Sequence, residues 1–228
     1  MSTIDVVSTH VEGIDRFLNG GFKLGKLYFI YGEEKSGKTS LALTICASSI
    51  KVGLKPLFID CSNRLHPQRV LQILESWELD LSRLSIRIIQ NFRDQEVFIL
   101  NLYNSSKMFD VIILDDLTHQ HRLEISGKGK QDLQIYKRLA LQVAILYELT
   151  KRDRVLIAYI GQVHDMPEKE DRTAVAYRIL SHWADWIIRL RSESKGLREL
   201  FIEKPESAGP AYFTIDIKGI VESRIKVE

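Results

Sequence analysis

Residues 32–39 read GEEKSGKT: two glycines enclose four residues and are followed at once by lysine and threonine. That order suits a polyphosphate. Gly32 and Gly37 let the backbone curl until successive N–H groups face the phosphates, and the start of a following helix adds its positive end. Lys38 is then placed for the β- and γ-phosphates, and the Thr39 hydroxyl for a Mg²⁺ ion. Glu33, Glu34, Lys35, Ser36 and Ser40 complete the candidate phosphate-binding stretch. Asp115 closes the apolar run VIIL (111–114), where a carboxylate can reach the same metal. Together these residues predict ATP with Mg²⁺.

Such a loop needs a strand before it and a helix after it. LYFIY (27–31) is an unbroken apolar run, and TSLALTICASSIKVG reads as a helix stopped near Gly53. PLFID (56–60), IRIIQ (86–90), FDVIILDD (109–116) and RVLIAYIG (154–161) read as further buried strands; FDVIILDD is too apolar on both faces for a surface position. Between the last two, a helix over roughly 131–152 carries Leu133, Tyr136, Leu139 or Ala140, Val143, and Leu146 or Tyr147 at three- and four-residue steps. The C-terminal third changes to ADWIIRLR, LRELFIEK and AYFTIDIK, strand-like segments joined by short turns. The order predicts an α/β fold: a mostly parallel sheet flanked by helices, extended by antiparallel strands at one edge. No Gly/Ser/Pro-rich linker divides the chain, so one domain is expected over 1–228, with tails at 1–7 and 221–228.

Composition narrows the function classes. With 45% apolar and 27% charged residues the chain has a globular balance, and no apolar run approaches the ~18 residues of a membrane span. Asp5, Glu12 and Asp15 stand where a secretory signal would be basic and then apolar, which predicts a cytoplasmic protein. Two cysteines, Cys46 and Cys61, read as small core residues, not a disulfide framework or zinc site. His119 and His121 lack a third ligand nearby. A net charge of +2 is no general nucleic-acid footprint, so any such contact must be local.

The chain resembles the RecA/RadA strand-exchange superfamily, in particular the short archaeal RadA paralogues that contain only the ATPase core. The resemblance runs from about Ser8 to about Gly219. It opens with STHVEGIDRFLNGGF, the likeness of the family's lead-in to its first core strand. LTHQHRLEISGKGKQDLQIYK (117–137) is similar to the stretch holding the first DNA-binding loop, agreeing at Leu117, Thr118, Arg122, Glu124, Gly127, Gly129 and Lys137. IGQV (160–163) resembles the strand that ends in a polar γ-phosphate sensor, which places Gln162 in that role. ILSHWADWIIRLR (179–191) is similar to the family's L-x-H element. The resemblance implies a DNA-associated recombination protein, with single-stranded DNA and a RadA-type recombinase as partners. It assigns DNA contacts to Arg122, Lys128 and Lys130.

Four departures qualify this. The family's water-activating glutamate is expected at Ser62, in Ile59-Asp60-Cys61-Ser62-Asn63. Serine cannot orient water as a carboxylate does, and losing such a group typically costs ~10²–10⁴ in rate. Only Asp116 is an obvious local substitute, so hydrolysis is expected to be slow. Lys35 stands at a usual glycine position. The second DNA loop, in DMPEKEDR (165–172), has four acids against two bases, the wrong sign for a phosphate backbone. Few residues precede the core, leaving no room for a further DNA-binding domain or polymerisation motif, so restraint of strand exchange is expected over catalysis of it. A second basic group, Arg189, Arg191, Lys195 and Arg198, reads as a solvated face; Tyr136, Tyr177 and Trp183 are either stacking platforms or core. Phe17, Leu18 and Leu65 are either core or an interaction surface. Two rival functions stay open: a nucleotide-switched protein-interaction module, and a KaiC-like signalling ATPase.

Overall fold

The structure is a computed structural model and describes residues 4–127, 129–162, 172–193, 196–207 and 209–223. In chain order the elements are β1 (Val6–Val7), α1 (Glu12–Phe17), β2 (Phe22–Lys23), β3 (Leu27–Gly32), α2 (Lys38–Lys51), β4 (Pro56–Asp60), α3 (Pro67–Ser76), β5 (Ser85–Ile88), α4 (Phe92–Ser105), β6 (Val111–Asp115), α5 (His119–Glu124), α6 (Gly129–Asp153), β7 (Leu156–Gly161), α7 (Arg172–Trp183), β8 (Trp186–Ser192), β9 (Arg198–Lys204), β10 (Ala211–Asp216) and β11 (Gly219–Glu222).

Among the described residues nine strands form one sheet in the order β11-β10-β9-β8-β3-β7-β6-β4-β5. From β8 to β5 all neighbours run parallel, and from β8 to β11 they run antiparallel. The α/β class, the mostly parallel sheet and the antiparallel edge are as the sequence predicts. Strand β3 shows why its apolar run is unbroken. Tyr28 and Ile30 enter a core with Leu41, Ile45 and Phe58, whereas Leu27 and Phe29 enter the opposite core with Leu139, Val143 and Tyr159. A strand covered on both faces has no polar side to show. The loops that follow β3, β4, β6 and β7 therefore gather at one end of the sheet.

Four expectations need correction. IRIIQ is not a covered strand: β5 lies at the sheet edge, and Ile86 and Ile88 are 41% and 42% exposed. Leu133 is 52% exposed, because the inward row of α6 begins at the buried Asp132 and continues through Leu139, Gln142, Val143 and Leu146. A residue one position off that row is rotated about 100° away from it. Nor is the whole of 1–7 a tail, since Val6 and Val7 pair with Lys23 and Phe22. Likewise Val221 and Glu222 pair with Thr214 and Phe213, extending the sheet into the expected C-terminal tail. No helix among the described residues is long and apolar enough to cross a membrane.

Candidate functional site

Gly32 closes β3 at φ 151°, and a Cβ there would stand 2.1 Å from the Leu190 carbonyl oxygen of β8. Only glycine lets the chain leave the sheet so close to its neighbour. Gly37, at φ 101°, caps α2 in the left-handed region, with the Ile215 side chain 2.8 Å from its would-be Cβ. The first turn of α2 has no acidic residue and no side-chain cap. Its leading N–H groups have no partner within the helix, which is the arrangement that accepts an anion.

Lys35 is also left-handed, at φ 64°, which gives a backbone reason for glycine at that position. An L-residue there costs roughly 1–2 kcal/mol relative to right-handed backbone. Lys35→Gly is therefore expected to stabilise the fold by about 1 kcal/mol, raising Tm by roughly 2–4 °C. A lower Tm in a calorimetric melt would show that contacts of the lysine outweigh its backbone strain.

The Lys38 ammonium donates to the Gly32 carbonyl at 2.8 Å, to the Glu33 carbonyl, and weakly to Ser36 Oγ at 3.4 Å. Burial lowers its pKa from the ordinary lysine value, and the Asp115 carboxylate opposes that shift. Thr39 Oγ1 donates to Asp115 Oδ2 at 2.8 Å, joining the helix start to the end of β6. Burial pushes the Asp115 pKa up to about 6, against the pull of the Thr39 hydrogen bond.

A cleft of about 290 Å³ opens above these groups. Glu34, Lys35, Gly37, Lys38, Thr39 and Ser40 line one side, and Ser62, Asp115, Asp116 and Gln162 the other. Gly32, Glu33 and Ser36 support the loop from outside that lining. Arg64, exposed in the loop after β4, and Ile215 of β10 also line the cleft. Sequence reasoning missed both. Arg64 could have been found as the first cation after Ser62, whereas Ile215 arrives from a distant strand and had no local signal.

The loop after β4 explains Ser62. Asp60 accepts from the Ser62 N–H at 3.0 Å, from Ser62 Oγ at 3.1 Å and from the Leu65 N–H at 2.8 Å. Its carboxylate is thus spent on holding the turn. Asp116, at φ 56° and 4% exposed, is the other carboxylate beside Asp115. Arg122 grips it from α5, Nη1 to Oδ1 at 3.2 Å and Nη2 to Oδ2 at 3.1 Å, and donates to Thr118 Oγ1 at 2.6 Å.

Arg122 is therefore paired with a carboxylate that lines the cleft, while its own side chain stays 39% exposed. Lys130 is exposed in the first turn of α6. Lys128, Lys195 and the segment 165–171 lie outside the described residues. Of the second basic group, Arg189 pairs with Glu203 at 3.2 Å, Arg191 lies over Phe201 at 5.5 Å, and Arg198 donates to the Lys35 and Leu197 carbonyls. These three arginines are thus engaged within the chain. Tyr136 packs on His121, Tyr177 on Phe29 and Tyr31, and Trp183 on Tyr147. His121 is 1% exposed, and burial lowers its pKa to about 4. Cys46, Cys61 and Leu18 are fully buried, and Phe17 and Leu65 pack against the core.

The sequence family described as Rad51 matches residues 2–219. The chain belongs to the Rad51 family. It is a RadA/RadB-like member of the RecA superfamily, and its relatives bear this out along nearly the whole length. Proteins named "DNA repair and recombination protein RadB" from Thermococcus onnurineus and Thermococcus kodakarensis are 31% and 29% identical over 225 residues. Those alignments cover 94% of this chain and 96% and 98% of the relatives. The protein of that name from Thermoplasma acidophilum is 28% identical over 207 residues, covering 88% of this chain and 86% of its own.

Proposed function

We propose that this Rad51-family chain is a single RecA-like core that binds ATP with Mg²⁺, contacts single-stranded DNA, and restrains homologous recombination during DNA repair while hydrolysing ATP slowly. One observation carries the reading: the 2.8 Å hydrogen bond from Thr39 to Asp115, set beside the buried Lys38 at the mouth of the cleft. A hydroxyl and a carboxylate are hard oxygen donors of the kind Mg²⁺ takes, and an ammonium beside them suits phosphate. Thr39 and Asp115 would hold the metal, whose chemistry is to neutralise charge on the β- and γ-phosphates. Lys38 would leave the loop carbonyls for phosphate oxygens, the N–H groups opening α2 would orient them, and Gln162 would contact the γ-phosphate. Nothing at Ser62 orients water, which is the ground for slow turnover. The relatives' names supply the recombination role, and Lys130 is an outward cation beside the first loop.

The test is fluorescence anisotropy of labelled single-stranded DNA at several salt concentrations. Binding is expected, with log K falling against log salt at a slope of about −0.7 for each phosphate neutralised. The internal engagement of Arg189, Arg191 and Arg198 favours the second reading, a nucleotide-switched module for a protein partner. Absence of binding even at low salt would overturn the DNA reading and leave that one.

A further inference from the structure

Asp116 belongs to two places at once. Its carboxylate lines the cleft with Lys38, Thr39 and Asp115, yet both its oxygens are held by Arg122. Arg122 in turn is half in solvent: its side chain is 39% exposed, against 6% for that of Asp116. It sits on α5, four residues before the Ser126–Gly127 turn, whose N–H groups donate to Asp132 of α6. The same helix is fastened beneath the cleft by Gln120, which donates to the Cys61 carbonyl at 2.9 Å. One guanidinium therefore holds a carboxylate that lines the cleft while part of it stays in solvent, on the short helix that leads into the first loop. A bidentate arginine can be drawn off a carboxylate by a phosphate of the same fork geometry.

We infer that the Asp116–Arg122 pair is a latch between the cleft and the strand-binding loop. A phosphodiester that takes Arg122 releases the Asp116 carboxylate into the cleft, where it orients the attacking water in place of the carboxylate absent at Ser62. This rests on the ATP- and DNA-binding reading above. In the released state the water oxygen bonds to the γ-phosphorus, and the bond from that phosphorus to the β–γ bridging oxygen breaks. The electron pair leaves with ADP, and the proton from water ends on the inorganic phosphate. Asp116 accepts a hydrogen bond throughout and is a positioning residue. With the latch closed, that hydrogen-bond acceptor is occupied.

Linkage makes the latch reciprocal: whatever frees Asp116 frees Arg122, and the converse. The first readout is binding alone, without nucleotide or metal. Asp116→Asn keeps the shape, removes the charge that holds Arg122, and is expected to tighten single-stranded DNA binding about tenfold at low salt, with a salt slope steeper by about one phosphate. The second readout is turnover. Arg122→Gln is expected to raise DNA-free ATP hydrolysis about tenfold and to abolish further stimulation by DNA. Asp116→Asn should lose DNA-stimulated hydrolysis, and adding Ser62→Glu should restore turnover without DNA. Thermal melts identify any variant that fails to fold, and Arg122→Lys, which keeps the charge but not the fork, then replaces Arg122→Gln with the same expected direction. Folded variants that bind nucleotide and DNA as the wild type does, with Asp116→Asn leaving the DNA affinity and the stimulation unchanged, would overturn the latch. Failure of the wild type to bind labelled nucleotide would instead overturn the reading on which it stands.

Discussion

Lys38→Ala is expected to weaken Mg-ATP binding by roughly 10- to 100-fold, the range spanned by losing a charge-assisted hydrogen bond of about 1.5–3 kcal/mol. The position of the ammonium sets the size of this effect. It is 9% exposed and sits on the Gly32 and Glu33 carbonyls, so its hydration is already largely given up. Exchanging carbonyls for phosphate oxygens then adds attraction between full charges, with little further desolvation. The same burial that lowers the lysine pKa is opposed by Asp115 and Asp116. Those carboxylates favour the charged ammonium over the neutral amine. Fluorescence titration with a labelled ATP analogue reads the change directly; an unaltered isotherm would contradict the phosphate role of the loop.

The second large effect lies in turnover. Ser62→Glu is expected to raise ATP hydrolysis by at least ~10-fold, part of the ~10²–10⁴ that a positioned proton acceptor contributes. Ser62 lines the cleft, and its backbone N–H is fixed to Asp60 at 3.0 Å, so the position is held whatever side chain stands there. A glutamate would be repelled by the Asp60 carboxylate below and driven toward the cleft, where water and γ-phosphate are expected. Unchanged turnover in a phosphate-release assay would show that the missing carboxylate is not what limits the rate.

Much of this site was legible in the sequence because its parts follow consecutive strand ends. A glycine turn after one buried strand and a carboxylate ending another are brought together by parallel pairing, whatever the intervening helices do. Hence the meeting of Thr39 with Asp115 followed from the motif and the apolar runs alone. The edge strands were visible for a similar reason, as closely spaced runs too short to enclose crossover helices. What escaped notice depends on single backbone angles and on tertiary direction. The left-handed turn at Asp116 aims its carboxylate back at α5, which makes Arg122, expected as a DNA contact, a partner of the cleft as well. Leu133 was misread because a buried Asp132 opens the inward row of α6, so the polar residue lies inward and the leucine outward. Ile86 and Ile88 read as covered because an apolar run carries no sign of being last in a sheet. Arg64 reaches the cleft only because Asp60 folds the loop back on itself.

Slow turnover of retained ATP with Mg²⁺ is the behaviour expected of the cleft. It is tested most directly by incubating the protein with Mg²⁺ and radiolabelled ATP, separating protein from free nucleotide, and identifying what remains bound. Nucleotide is expected in a one-to-one ratio with the chain, still present as ATP long after an unimpaired ATPase would have converted it. No retained nucleotide, or ADP alone at the earliest time sampled, would contradict it.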